Sequence, residues 1–248
     1  MTNPEFTIMP SKEEQKFGSN KYTLRFKNKE TENDYQEYSY QRLTKHNRLG
    51  MFLALLIYPS FLLLDNLLVP EFIKQIAFIR LAIFTPIVIF LITLTYFKFL
   101  KKIKDLILSL GIMTATLCVI WIISFLPSPD SNIYFVGLIL IFIYGYSFLR
   151  ISFKYIVLAG FITIVGYEIV VIYINPIPFV LLLADNAYLI SANLMGMMGA
   201  YTIERLHRRG FKRELQLVEE NKKVVKMNEE LEQKIKEKTA EFYKREEK

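Results

Sequence analysis

The chain has 248 residues, 52% of them hydrophobic, with a mean hydropathy of +0.26 and a formal net charge of +7. Apolar residues crowd into 49–203, and charges into 1–48 and 204–248, which excludes an ordinary soluble fold. The basic excess flanks the apolar segments, the pattern of membrane anchoring and not of nucleic-acid binding, and the lone Cys118 leaves no intrachain disulfide to form.

Residues 1–48 are polar without sustained periodicity. They read as a cytosolic tail, disordered to about Glu30, with Tyr35–Tyr40 and Leu43 as candidates for a short interfacial helix. The N-terminus lacks a basic start followed by a short apolar core, so no cleavable signal peptide is expected.

A bilayer crossing needs roughly 20 apolar residues. Six segments qualify: Leu49–Val69, Phe72–Phe97, Ile103–Leu126, Ile133–Leu149, Tyr155–Ile174 and about Asn186–Arg205. They make a six-span membrane domain over 49–205. Pro59 and Pro86 fall inside segments and are expected to kink them. Between the fifth and sixth lies NPIPFVLLLAD, which is either an outer loop with an interfacial helix or an outer extension of the last span. Lys98, Lys101, Lys102 and Lys104 follow the second span, Arg150 and Lys154 the fourth, and Arg205, Arg208 and Arg209 the sixth. The alternate loops carry Lys74 alone. Basic loops face the cytoplasm, so both termini are expected there.

Charges within membrane segments cost roughly 2.5–3.5 kcal/mol each on insertion scales and need a reason. Arg80 lies about eight residues, roughly 12 Å, from the outer start of the second span. Glu168 lies about six residues, roughly 9 Å, from the outer end of the fifth. Opposite charges at similar depth suggest an ion pair or a shared polar cavity. Asp65 and Asp185 fall near the outer rim of that region, and Tyr58, Trp121 and Tyr167 are candidates to line it. The site is either a salt bridge that only fixes the bundle or a pocket for a small or lipophilic ligand. No phosphate-binding glycine loop, Cys/His metal spacing or nucleophile–base set is visible, so no catalytic residue, metal or cofactor is expected.

Ala192, Gly196 and Ala200 repeat every four residues on the sixth span, a spacing that lets helices approach closely, within one bundle or between two copies. No proline interrupts Asp185–Phe242, so one helix is expected to leave the membrane near Tyr201–Arg205 and continue through 206–248. With Leu217, Val224, Leu231 and Lys238 at heptad d, positions a hold Asn221, Asn228, Ile235 and Phe242. An a-position asparagine fixes register and oligomer state at a cost in stability. Phe211, Leu215 and Val218 form a displaced stripe, which reads as a stutter. The pattern points to a parallel homodimeric coiled coil.

LLLDNLLVPEFIKQIAFIRLAIFTP, with Asp65, Pro70, Arg80 and Pro86, resembles the first hairpin of six-helix membrane-integral sensor modules of bacterial receptors. NLMGMMGAYTIERLHRRGF, with Tyr201, Glu204, Arg208, Arg209 and Phe211, resembles their exit from the membrane, and LEQKIKEKTAEFYKREEK their linker. The resemblance covers about residues 40–248. It implies a regulatory module of the bacterial plasma membrane attached to a class III nucleotide cyclase, a diguanylate cyclase or a histidine kinase. No output domain follows, so the chain is either part of a longer receptor or works through partners.

The expected fold is therefore all-α, an integral membrane six-helix bundle continuing into a cytosolic parallel coiled coil. The expected function is sensing, with the output, a nucleotide cyclase by preference, regulated through the coiled coil. A small transporter or channel is the alternative, and a membrane scaffold a further one; neither needs the heptad seam to respond to a ligand.

Overall fold

The computed structural model describes residues 17–20 and 23–246, with side chains as far as Thr239. Six helices are long and apolar enough to cross a membrane. They are α1 (Lys29–Leu68), α2 (Pro70–Leu94), α3 (Lys98–Phe125), α4 (Asp130–Ser147), α5 (Phe153–Ile174) and α6 (Phe179–Glu246). Among the described residues β structure is limited to one bridge between Ser19 and Phe26. The all-α membrane bundle is as the sequence predicts, and helices are what a segment in lipid requires, since each backbone group must bond within its own segment.

Two compact units divide the chain, Met1–Arg205 and Leu206–Lys248. In the first, α3 is the most enclosed helix: Ile107, Leu108, Ile112, Val119, Ile122 and Ile123 are all buried. It packs against α2, α4 and α5. Apolar side chains also cover the outside, with Leu56, Leu63 and Leu67 of α1 more than 70% exposed. An apolar exterior around an apolar core is the surface a bilayer covers.

Residues 29–48 form a longer helix than the short one expected around Tyr35–Tyr40 and Leu43. It runs straight into the first span. Asn28 supplies the start by accepting the backbone N–H groups of Glu30 and Thr31 at 2.9 and 3.1 Å, and Glu30 and Glu32 favour the positive end of the helix dipole. Side-chain anchors then hold the segment. Lys101 Nζ lies 2.7 Å from Glu37, Lys104 donates to Ser39, and Arg48 donates to Thr95 Oγ1 at 3.0 Å. Asn47 exchanges two hydrogen bonds with the Arg150 backbone. The hydrogen bond from Lys101 holds the Glu37 carboxyl below its ordinary pKa. Ahead of the helix, Phe26 turns back onto the Tyr35 ring, and its N–H donates to Glu32 at 2.9 Å. The first sixteen residues of the expected tail lie outside the described residues.

The prolines act through the geometry around them. Pro59 precedes a break at Phe61 that separates Lys29–Ser60 from Leu62–Leu68. Pro86 cannot donate to the preceding turn, and the seven residues Phe78–Phe84 widen into a π-helical stretch before it. The NPIPFVLLLAD question resolves in favour of an extension, since α6 begins at Phe179. Asn175 lies in the turn before α6 and donates to the carbonyls of Ile123 and Leu126 at 2.8 and 2.7 Å, closing the end of α3.

Candidate functional site: a buried ion pair at the end of a lateral groove

The π-helical stretch carries Arg80 into the bundle, where it is 4% exposed. Its carbonyl is held twice, by the backbone N–H of Thr85 and by Thr85 Oγ1 at 2.9 Å. The guanidinium meets Asp65 side-on: Nε donates to Oδ2 at 2.7 Å and Nη2 to Oδ1 at 3.2 Å. Nη1 donates to the Tyr58 carbonyl at 3.2 Å. The Tyr58 ring lies 4.6 Å from the guanidinium carbon and stacks on Phe84 with centroids 4.0 Å apart. Tyr134 of α4 completes the cluster by donating to Asp65 Oδ1 at 2.8 Å. Burial of an unpaired arginine at this depth would be costly, and the bidentate carboxylate is what permits it.

The pair predicted on depth alone was Arg80 with Glu168. The structure gives Arg80 a different carboxylate, Asp65, because the break at Phe61 and the π-helical stretch bring α1 and α2 together as a hairpin. Glu168 sits on α5, where its Oε1 is buried without a hydrogen-bond partner. Next to it in sequence, Tyr167 donates to Asp185 of α6 at 2.6 Å and packs its ring against Phe135. Trp121 is half exposed on the outer face of α3. The seven predicted positions therefore form one cluster, Tyr58–Asp65–Arg80, and one pair, Tyr167–Asp185, while Glu168 and Trp121 join neither.

A groove of about 650 Å³ runs from this cluster along the bundle. Met51, Ala54 and Ile57 of α1 form one wall, and Gly137, Leu140 and Tyr144 of α4 the other. Val88 of α2 and Ile112 and Ala115 of α3 lie at its floor. Arg80, Asp65 and Tyr134 sit at one end, and Leu149 and Phe148 at the other. Tyr134 was missed because a tyrosine near a span end reads as an interfacial anchor.

A second polar contact ties α4 to α6. Tyr146 donates to Asn193 Oδ1, and both residues are buried. Gly160 of α5 backs them: a Cβ there would stand 2.4 Å from both the Tyr146 hydroxyl and Asn193 Oδ1. Gly196 lies against the Tyr146 ring, where a Cβ would approach to 2.2 Å, and Ala200 is buried. Ala192 is partly buried on the same core. The small-residue face of α6 thus packs inside the bundle at Gly196, one of the two uses its spacing allows. Asn193 went unremarked, although an asparagine within an apolar run was itself the signal. Glu204 accepts the Phe153 N–H, and Phe153 packs edge-on to Tyr201, so the conspicuous exit residues Tyr201 and Glu204 anchor α6 to α5.

In the second unit Leu217, Val224, Leu231 and Ile235 are all more than half exposed. Asn221 and Asn228 lie on the same exposed helix. The Phe242 side chain, last in the expected seam, lies outside the described residues. Among the described residues no group of three or more His, Cys, Asp and Glu side chains gathers as a metal site.

Comparison with known protein families gives a match. The MASE8 family model covers residues 63–218, from the end of α1 to the start of the heptads. No curated protein and no solved structure matches the chain.

Proposed function

The chain belongs to the MASE8 family of membrane-associated sensor domains, and from that premise we propose that it is the sensory part of a bacterial plasma-membrane receptor. The groove ending at Arg80, Asp65 and Tyr134 receives a small or lipophilic stimulus. Occupancy selects one packing of the bundle, and α6 passes the difference on. Leu217, Asn221, Val224, Asn228, Leu231 and Ile235 pair with those of a second copy in a parallel coiled coil. Both ends of the chain lie in the cytoplasm, as the basic loops suggest. The regulated output is a nucleotide cyclase or another enzyme that works as a dimer, as the receptor resemblance suggests.

One observation carries this reading: a bidentate buried ion pair opens onto a sizeable apolar groove inside a sensor-family bundle. A salt bridge that only fixed the bundle would need no such cavity beside it. The exposed heptad seam supports the dimer, because apolar a and d positions on a solvated helix are stabilised by a facing copy. A ligand shifts the two packings only by its differential affinity for them.

The test is disulfide cross-linking of single cysteines placed along Leu217–Ile235, in a Cys118→Ser background, with full-length protein in membranes. A periodic a/d pattern is expected, with its maxima moved when the groove is filled by the bulky substitution Ala54→Trp. An aperiodic pattern would overturn the dimer, and a pattern identical with and without the filling would overturn signalling through the helix.

A further inference from the structure

The chemistry of the groove specifies its ligand further, on the premise that the sensor reading of this site holds. The polar end is densely bonded within itself. Asp65 takes Nε–H and one Nη2 hydrogen of Arg80, and the Tyr58 carbonyl takes one Nη1 hydrogen. Of the five N–H groups a guanidinium carries, this leaves two unspent. The Tyr134 hydroxyl has given its hydrogen to Asp65 and keeps lone pairs free to accept. The arginine and aspartate charges cancel at contact distance. The cluster thus offers hydrogen-bond donors and an acceptor but no net charge.

That balance discriminates between head groups. A carboxylate or phosphate entering here would meet Asp65 as well as Arg80. It would shed its hydration for a site whose positive charge is already matched. A hydroxyl, ketone or ester oxygen bears no such desolvation cost and can accept from Arg80, and a hydroxyl can also donate to Tyr134. Beyond the cluster the groove is apolar. From Asp65 back to Met51 it follows fourteen residues of α1, roughly 21 Å at the helical rise. Its volume of about 650 Å³ is in the range of sites for one small ligand.

We propose that the groove binds a single-chain amphiphile with an uncharged, hydrogen-bonding head, the head on Arg80 and Tyr134 and the alkyl chain between α1 and α4. The ligand class is that of long-chain alcohols, hydroxyketones and monoacylglycerols, which enter sideways from the bilayer.

The experiment uses the full chain in phosphatidylcholine nanodiscs and a photoreactive long-chain alcohol, with labelled residues mapped by mass spectrometry. Unlabelled long-chain alcohol, monoacylglycerol and the fatty acid of equal length, the last at alkaline pH, serve as competitors. Saturable labelling of α1 and α4 groove residues is expected, with the carboxylate competing at least about tenfold less well than the alcohol. Ala54→Trp should abolish saturable labelling. Gly137→Leu is the second occluding variant, since a Cβ there begins at an ordinary 3.7 Å from Val119.

Equal competition by the carboxylate would overturn the uncharged head. Non-saturable labelling of outward-facing residues would overturn the site. Groove residues shielded by cross-links to a second copy would assign the groove to dimer contact and overturn it equally. The cross-linking pattern along Leu217–Ile235 is recorded on the same samples. If the alcohol binds and the pattern stays fixed, the sensor reading falls while the ligand class stands. If no alcohol binds and Ala54→Trp still moves the pattern, the ligand class falls and the sensor reading stands.

Discussion

Replacing Asp65 with Asn tests the central claim about Arg80. The substitution keeps shape and leaves the guanidinium buried, with its side chain 5% exposed and no compensating carboxylate. Breaking a buried pair by removing one partner costs about 3–5 kcal/mol, most of it the penalty of an uncompensated charge. In a bilayer the unfolded reference also finds polar partners, which pulls the effect toward the lower value, about 3 kcal/mol. Removing both charges as Asp65→Leu with Arg80→Met should recover most of that loss, because an apolar replacement of a buried pair is often close to neutral. The single variants Asp65→Leu and Arg80→Met, with the double variant and the wild type, form a thermodynamic cycle whose coupling is expected at about 2–3 kcal/mol. Unfolding in mixed micelles by steric trapping measures each corner, with purified protein at fixed lipid content. Equal stability of wild type and Asp65→Asn within about 0.5 kcal/mol would refute the reasoning, because it would mean the arginine is neither buried nor dependent on its partner.

Three further outcomes test other parts of the molecule. Gly196→Leu forces side-chain atoms into the Tyr146 ring and should destabilise the bundle by about 1–3 kcal/mol, whereas Gly199→Ala, with open space around it, should be neutral or slightly stabilising; thermal melting in detergent separates them. Asn221→Val with Asn228→Val should strengthen association of the 206–248 segment while broadening its oligomer distribution, read by native mass spectrometry of the full chain. Asn28→Ala removes the helix cap at the start of α1 and should cost about 1 kcal/mol locally, seen as faster amide exchange at Glu30 and Thr31.

The six spans were legible because length and apolarity carry that signal residue by residue. What sequence hid was pairing across the bundle. Arg80 was singled out correctly as a charge needing a reason, but depth in a membrane is one coordinate, and on it Glu168 matched Arg80 while Asp65 fell nearer the rim. The choice was made by the bend at Phe61 and the π-helical stretch before Pro86, features of backbone geometry without a motif of their own. The Gly196 face was ambiguous for a similar reason: a small-residue stripe says that something approaches closely and not what. Within the bundle Gly196 meets Tyr146, and Tyr146 looks like any other aromatic in FIYGYSF. Hydropathy places the first span from Leu49 and is silent on the polar helix that leads into it, held by Asn28 at its cap and by Lys101, Thr95 and Arg150 along its side.

The groove and α6 do not share lining residues, and α4 is an element that touches both. One face of α4 presents Tyr134, Gly137, Leu140 and Tyr144 to the groove. Two residues beyond Tyr144, Tyr146 bonds Asn193 and fills the space left by Gly196. A shift of α4 on ligand entry would reach α6 through that contact first. Tyr146→Phe keeps the ring that packs on Gly196 and removes only the hydroxyl. Membrane hydrogen bonds of this kind average about 0.6 kcal/mol, so the bundle should remain folded and the groove, which Tyr146 does not line, should bind its ligand as before. The expected change is in coupling alone: saturable labelling of the groove persists, while the cross-linking pattern along Leu217–Ile235 responds less to occupancy. Unchanged labelling with a full-amplitude response would show that the signal bypasses Asn193. The anchor further along the same helix, Glu204 on the Phe153 backbone, would then be the next place to cut, followed by the Tyr167–Asp185 hydrogen bond, since a single substitution removes either.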